Sequence, residues 1–172
     1  MPLLSDQSPT ILPDSSCVTA ADIMTRKLVT LTPDTEVFDA IDRLIKHRIS
    51  GAPVVDAADR TKFVGLFSER NAVSLLVDAA YEGRAARTIS RFVATDVHTI
   101  TPDCDLLSIA QLFLHSNQRR LPVLDEDRLI GQVSRRDVLR AAQTLMQDAP
   151  DAPHQVVLYL SSLREMNETP FR

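Results

Sequence analysis

One motif occurs twice in this chain and decides the fold: Gly131-Gln132-Val133-Ser134-Arg135-Arg136-Asp137 repeats Gly65-Leu66-Phe67-Ser68-Glu69-Arg70-Asn71. In both copies an apolar strand pattern runs into a serine, and an amphipathic helical pattern follows at once. A serine at that place can cap the helix, because its hydroxyl can accept from a free backbone N–H. The same turn directs unpaired N–H groups and the positive end of the helix dipole at solvent. Each copy therefore predicts an anion site.

The acidic end of the second copy predicts a binding role for Asp137. It lies three residues after Ser134, on the same side of the helix, and its two oxygens match the hydroxyl pair of a ribose. The first copy has Asn71 there, and an amide lacks the charge-assisted bonds of a carboxylate, a loss of about 1–2 kcal/mol. That corresponds to about five- to thirty-fold in affinity. We therefore expect the main site at Ser134 and Asp137, and a weaker one at Ser68 and Asn71.

The spacing of the two copies predicts a duplicated unit. The offset from Pro53 to Pro122 is longer than the offset from Ser68 to Ser134, and the difference falls where 126–128 replaces 57–62 in a predicted hairpin turn. A length change confined to a turn is typical of a duplicated folded unit. Each unit has the pattern strand, helix, strand, strand, helix (βαββα), which gives an α+β fold. Because such a unit is small for a core of its own, we expect the two to pack sheet against sheet around one core.

The chain divides into four parts. We predict a flexible arm over 1–18, a first repeat over 19–83, a second over 84–147 and a tail over 148–172 whose apolar spacing indicates a docked helix. Within the first repeat, the patterns predict a strand at 28–31 and a helix capped by Thr35.

Composition argues against several classes of protein. The chain has 172 residues, a net charge of −4, no Trp and 5% aromatic residues, so nucleic acid is disfavoured as a partner. Cys17 and Cys104 show no metal spacing and are expected to be free thiols, and no apolar run is long enough for a membrane span. No secretory signal pattern is present, so we expect a cytoplasmic protein. The histidines show no metal-ligand spacing, and the sequence contains no nucleophile motif. The pattern therefore predicts neither a metalloprotein nor an enzyme.

Four motifs in order, each repeated, resemble the tandem cystathionine-β-synthase (CBS) domain pair, or Bateman module. In the first copy they are Asp22-Ile23-Met24-Thr25, Val29-Thr30-Leu31-Thr32-Pro33-Asp34, Ile49-Ser50-Gly51-Ala52-Pro53-Val54-Val55-Asp56 and the Gly-x-x-Ser stretch. The resemblance covers about 18–147. It implies two intertwined βαββα units packed with pseudo-two-fold symmetry, two related clefts for adenosine-containing ligands, and frequent dimerisation.

The resemblance also implies roles for individual positions. The serine of the motif contacts phosphate or ribose, the acid holds the ribose hydroxyls, and backbone near the Gly-x-Pro-Val strand start meets the base. Arg119, Arg120, Arg135 and Arg136 are expected at the mouth of the second-copy cleft, as a phosphate site or as a solvated basic surface. The expected nucleotide-binding residues are Ser134, Asp137, Arg136, Arg120, Pro122, Thr99, Ser68, Asn71, Gly51, Pro53 and Thr30.

These observations predict a stand-alone regulatory module. It binds AMP, ADP, ATP or a related adenosine ligand, has no obligatory cofactor, and signals to a partner protein by a population shift. We expect a homodimer through apolar helix faces that include Val73, Leu76 and Val77 in one copy and Val138 and Leu139 in the other. The alternative is a non-catalytic interaction module whose nucleotide clefts are degenerate.

Overall fold

The computed structural model describes residues 18–82 and 87–147. The helix predicted in the tail and most of the predicted arm lie outside these ranges. The described elements are α1 (Ala20–Ile23), α2 (Val37–His47), β1 (Gly51–Val55), β2 (Phe63–Ser68), α3 (Glu69–Glu82), a 3₁₀ turn (Ser90–Phe92), α4 (Leu106–His115), β3 (Arg120–Asp125), β4 (Arg128–Ser134) and α5 (Arg135–Gln147). The mixed helix and strand fold predicted from the sequence is confirmed. Each repeat is built on one antiparallel hairpin, β1 with β2 and β3 with β4.

Each hairpin has a proline in its first strand, and the pairing register explains why this is tolerated. Pro53 faces Leu66. Leu66 directs both its N–H and its C=O away from the hairpin to Ala94, over N···O distances of 2.9 Å and 2.9 Å. In an antiparallel pair, alternate residues turn both backbone groups outward, so no N–H is missed at the proline. In the second hairpin Gln132, which faces Pro122, does the same.

These outward backbone groups join the two repeats. Ala94, in the segment that leads into the second repeat, pairs with Leu66 of the first. Thr25, in the segment that leads into the first repeat, pairs with Gln132 of the second. The 3₁₀ turn accordingly packs on α3, and α1 packs on β4 and α5. The repeats therefore exchange their leading segments, and this is how they are intertwined.

The strand predicted at 28–31 is much shorter than expected. Leu31 alone forms a parallel bridge, with Val54. Its N–H donates to Pro53 O and its C=O accepts from Val55 N, both at 2.9 Å. Pairing stops there because the next N–H, of Thr32, turns away to the Thr35 hydroxyl at 3.0 Å. The prediction that Thr35 caps α2 is wrong for the same reason, since its hydroxyl closes this turn.

The apolar side chains form two clusters, whereas the sequence predicted one shared core. The first contains Leu31, Val37, Ala40, Leu44, Ala52, Val54, Phe67, Ala72, Leu75 and Ile89. The second contains Ala20, Met24, Ile100, Ile109, Phe113, Leu121, Val123 and Val133. Ile89 in the first cluster and Ala20 with Met24 in the second come from the exchanged segments. Each hairpin is thus covered by an apolar segment of the other repeat, so neither needs the other hairpin as its cover.

Candidate functional site

Two clefts of very different size lie along the boundary between the repeats. The first cleft has a volume of about 980 Å³ and is lined by 50–51, 66–71, 94, 96–98 and 115–120. The second cleft has a volume of about 100 Å³ and is lined by 25, 27–29, 49, 51, 53, 120 and 132. Small-molecule sites usually occupy about 300–1,000 Å³. Of these two clefts, the first has the room for a nucleotide.

The two clefts are related by the internal repeat. Ala94, His98 and Gln118 of the first cleft are the repeat counterparts of Thr25, Val29 and Ile49 of the second, at the same offset that relates Pro122 to Pro53. The first cleft combines the β2–α3 turn of the first repeat with the leading segment of the second. It therefore exists because the leading segments are exchanged.

The larger cleft lies at the first-copy motif, whereas the sequence predicted the main site at the second-copy motif. Ser68 and Asn71 line the first cleft, whereas Ser134 and Asp137 do not line the second. Arg120 stands at the repeat position of Gly51, and each of these two residues lines both clefts. A Cβ at Gly51 would lie 3.2 Å from Phe67 O, so the first repeat is tightly packed at this position, whereas the second repeat has a half-buried arginine there.

Both motifs form the same closed hydrogen-bond arrangement at the start of a helix. The backbone N–H and the hydroxyl of Ser134 donate to Asp137 Oδ2 at 2.8 Å and 2.5 Å, and Asp137 N donates back to Ser134 Oγ at 3.3 Å. Ser68 donates to Asn71 Oδ1 in the same way, at 3.0 Å and 2.5 Å. Asp137 Oδ1 lies 3.8 Å from Arg140 Nη1. The Asn71 amide keeps its NH₂ group for another acceptor.

The four arginines predicted at the second-copy motif have four different positions. Arg119 lines the first cleft, where its Nη1 lies 3.8 Å from Glu69 Oε2. Arg120 lies between the clefts with its Nε buried and without a hydrogen-bond partner. Burial lowers the pKa of Arg120, and the negative charges of Asp137 and Glu69 oppose that shift. The prediction that Arg119 belongs to the second-copy cleft is therefore wrong.

Arg135 and Arg136 belong to neither cleft. Arg135 donates to the carbonyl oxygens of Phe113, Ser116 and Gln118 at 3.3, 3.4 and 3.0 Å, which closes the C-terminal end of α4. Its guanidinium also lies 5.8 Å from the centre of the Phe113 ring. Arg136 is exposed on α5. Arg135 thus stabilises the fold, and Arg136 is the one predicted arginine that extends into solvent from α5.

The other predicted residues are spread more widely. Gly51 lines both clefts, and Pro53 lines the second while being fully buried. Pro122 is also fully buried, and neither it nor the two threonines, Thr30 and Thr99, lines either of these clefts. The carbonyls of both prolines accept from the bridge residues that precede the two Thr-Pro turns. The prolines therefore hold the sheet in place, and Gly51 is the strand-start residue that borders open space.

The polar residues of the first cleft that sequence reasoning missed include His98, His115 and Gln118. The Gln118 carboxamide binds both backbone groups of His98, accepting from N at 2.6 Å and donating to O at 3.1 Å. It also donates to Arg120 O at 3.2 Å. The sequence shows that Gln118 stands in the second copy where the first copy has Ile49. It does not show that Gln118 pairs with the distant His98.

Comparison with known proteins identifies the family. The CBS domain model matches residues 20–78 and 89–144, and the chain belongs to this family. The chloroplastic CBS domain-containing protein CBSX1 of Arabidopsis thaliana is 31% identical over 159 residues, covering 76% of this chain and 66% of that protein. The structure of CBSX2 in complex with AMP has a TM-score of 0.66 at 28% identity, covering 73% of this chain and 96% of that one. The CBS pair of protein MJ0100, solved with 5′-methylthioadenosine and S-adenosyl-L-methionine, has a TM-score of 0.61 at 25% identity, with coverages of 72% and 98%.

Other relatives are much longer than the matched region. The chain spans 41% of an uncharacterized protein of Methanocaldococcus jannaschii and 14% of the A-adding tRNA nucleotidyltransferase of Geobacter sulfurreducens. Among the described residues, no helix is both long and apolar enough to cross a membrane. The cytoplasmic location stays a prediction, since relatives include chloroplastic and mitochondrial proteins.

Proposed function

We propose that this chain is a regulatory module that binds an adenosine nucleotide in the first cleft and signals its occupancy to a partner protein. The observation that carries the proposal is the first cleft itself, about 980 Å³ of space at the Ser68–Asn71 helix start. The AMP complex of CBSX2 and the MJ0100 complex with two other adenosine compounds support an adenosine moiety as the common ligand feature.

The polar groups of the first cleft suit a ribose and a phosphate. Asn71 Oδ1 is occupied by Ser68, so its NH₂ group can donate to a ribose hydroxyl. The start of α3, a 14-residue helix, provides a positive dipole end beside it. Arg70, Arg119 and Arg120 line the same cleft and can pair with phosphate oxygens. Glu69 competes for Arg119, so a phosphate there would exchange one ion pair for another.

Signalling would use the helix faces beside the cleft. On α3, Val73, Leu76 and Val77 are 59%, 55% and 47% exposed, and on α5 Leu139 is 70% exposed. Val138, expected on the same surface, instead packs against the second cluster. We propose that a second copy covers this apolar face, because monomers seldom expose large apolar patches. Ligand binding in the cleft would then change the dimer geometry through α3, whose first turn contains Asn71, and an effector protein would bind one geometry better.

The test uses matched variants of the two motifs, Asn71→Ala and Asp137→Ala. Isothermal titration with AMP, ADP and ATP should show binding to the wild type that weakens about tenfold in Asn71→Ala, as for loss of about 1.4 kcal/mol. The Asp137→Ala variant should retain affinity within about threefold. The reverse order would move the site to the second-copy motif. Absence of binding at millimolar nucleotide would refute the sensor and favour the interaction module, with the apolar helix faces as its functional surface.

A further inference from the structure

In the first cleft, the side chain of Gln118 occupies a place that suits the base of a nucleotide. His98 presents its backbone N–H and C=O at the cleft, and both are bound by the Gln118 carboxamide, at 2.6 Å and 3.1 Å. Gln118 and His98 both line the cleft. Within the described residues, no other hydrogen bond to these two backbone groups is present. The pair is therefore a donor and an acceptor side by side, held by a side chain and not by a strand.

The pattern that Gln118 presents is the one that an adenine edge presents. A carboxamide offers one acceptor oxygen and an adjacent N–H donor. Adenine offers the N1 acceptor and the adjacent N6 amino donor on its Watson–Crick edge. We propose that Gln118 occupies the base position of the first cleft and that an adenine displaces it from His98. This inference rests on the proposed function, and it concerns how the same site is regulated.

Displacement of Gln118 would be transmitted to the arginines of the cleft. Gln118 Nε2 also donates to Arg120 O at 3.2 Å, and Gln118 O accepts from Arg135 at 3.0 Å. The side chain thus holds the connection between α4 and β3, which contains Arg119, against the leading segment. Release from His98 would free this connection to move toward a phosphate. At the equivalent place the second cleft has no such amide, because Ile49, the counterpart of Gln118 in the first repeat, has no polar side-chain atoms.

The experiment compares Gln118→Ala with the matched surface variant Gln143→Ala, whose side chain is exposed on α5. AMP should bind Gln118→Ala about five- to tenfold more tightly than wild type, equal to about 1.0–1.4 kcal/mol, because the base no longer competes with an internal amide. Ribose 5-phosphate, which lacks a base, should gain less than AMP does, because only the freed connection with Arg119 can improve its binding. N6,N6-dimethyl-AMP, whose amino group cannot donate, should gain less than threefold. Gln143→Ala should match the wild type with all three ligands.

Hydrogen exchange gives a second measurement without any ligand. The His98 amide should exchange at least about tenfold faster in Gln118→Ala than in wild type, and AMP should restore its protection. Gln118→Met, which keeps the chain length without the amide, replaces Gln118→Ala if the latter does not fold. Unchanged or weaker AMP binding in a folded variant overturns the inference and leaves the proposed function standing. No AMP binding to wild type or variant overturns both.

Discussion

Two glycines at equivalent places in the repeats should respond differently to the same substitution. A Cβ added to Gly65 would collide with Ala94 O, and would lie 2.8 Å from Val93 Cγ1. A Cβ added to Gly131 would collide with Met24 Sδ and lie 2.9 Å from Met24 Cγ. The first obstacle is backbone of the exchanged segment, whereas the second is a methionine side chain that can change rotamer. We therefore expect Gly65→Ala to be far more destabilising than Gly131→Ala.

The expected magnitudes follow from these contacts. Moving Ala94 away from Gly65 would break its two hydrogen bonds with Leu66, worth about 1 kcal/mol each. Overpacking adds about 1–3 kcal/mol, and the reduced freedom of the unfolded chain returns about 0.4–1 kcal/mol. The free energy of unfolding should thus fall by about 2–4 kcal/mol in Gly65→Ala. In Gly131→Ala, Met24 can adopt another rotamer, so we expect a change of about 1 kcal/mol or less.

Urea unfolding followed by circular dichroism measures both values. The midpoint should fall in Gly65→Ala with little change in the denaturant slope, because the surface exposed on unfolding is nearly the same. Amide exchange at Leu66 and Ala94 should accelerate in this variant beyond the global change. Equal losses in the two variants would refute the argument that backbone contact with the exchanged segment sets the cost. A stable Gly65→Ala with intact protection at Ala94 would do so as well.

Three further outcomes are expected. Asn71→Asp should bind AMP about five- to thirty-fold more tightly, because a carboxylate adds about 1–2 kcal/mol of charge-assisted bonding to the ribose, and 2′-deoxy-AMP should lose that gain in the same titration. Leu76→Arg should convert a dimer to a monomer in light scattering, whereas Ile45→Arg, at an exposed site on α2, should leave the mass unchanged. Backbone N–H groups, chiefly of Asp59, hold the pKa of Asp56 below its ordinary value of 3.8. The ionised form therefore stabilises the fold above about pH 4 and this contribution is lost as pH falls further, so the urea midpoint of Asp56→Asn should decline less than that of wild type between pH 6 and pH 3.

The sequence by itself determined the features that depend on local pattern. Helical spacing placed Val37, Ala40 and Leu44 on one buried face of α2, and alternation with turn signals placed both hairpins. The serine at the end of each hairpin does accept from the backbone N–H three positions later, as its predicted capping role requires. The duplication was visible because equal spacing survives in the chain itself. Such features need only neighbours close by in the sequence.

Only the tertiary structure decided where the usable cleft lies. The exchange of Ala94 and Thr25 between the repeats joins residues distant in the sequence, through backbone bonds that carry no side-chain signal. The packing of the two repeats puts Arg119 beside Glu69, and the fold of the second repeat brings Gln118 to His98, so the cleft at the first-copy motif gains an arginine that the sequence assigned to the second. Each cleft takes its walls from both repeats, and Gly51 of the first repeat and Arg120 of the second line both clefts. A volume set by opposing surfaces cannot be predicted from spacing along the chain.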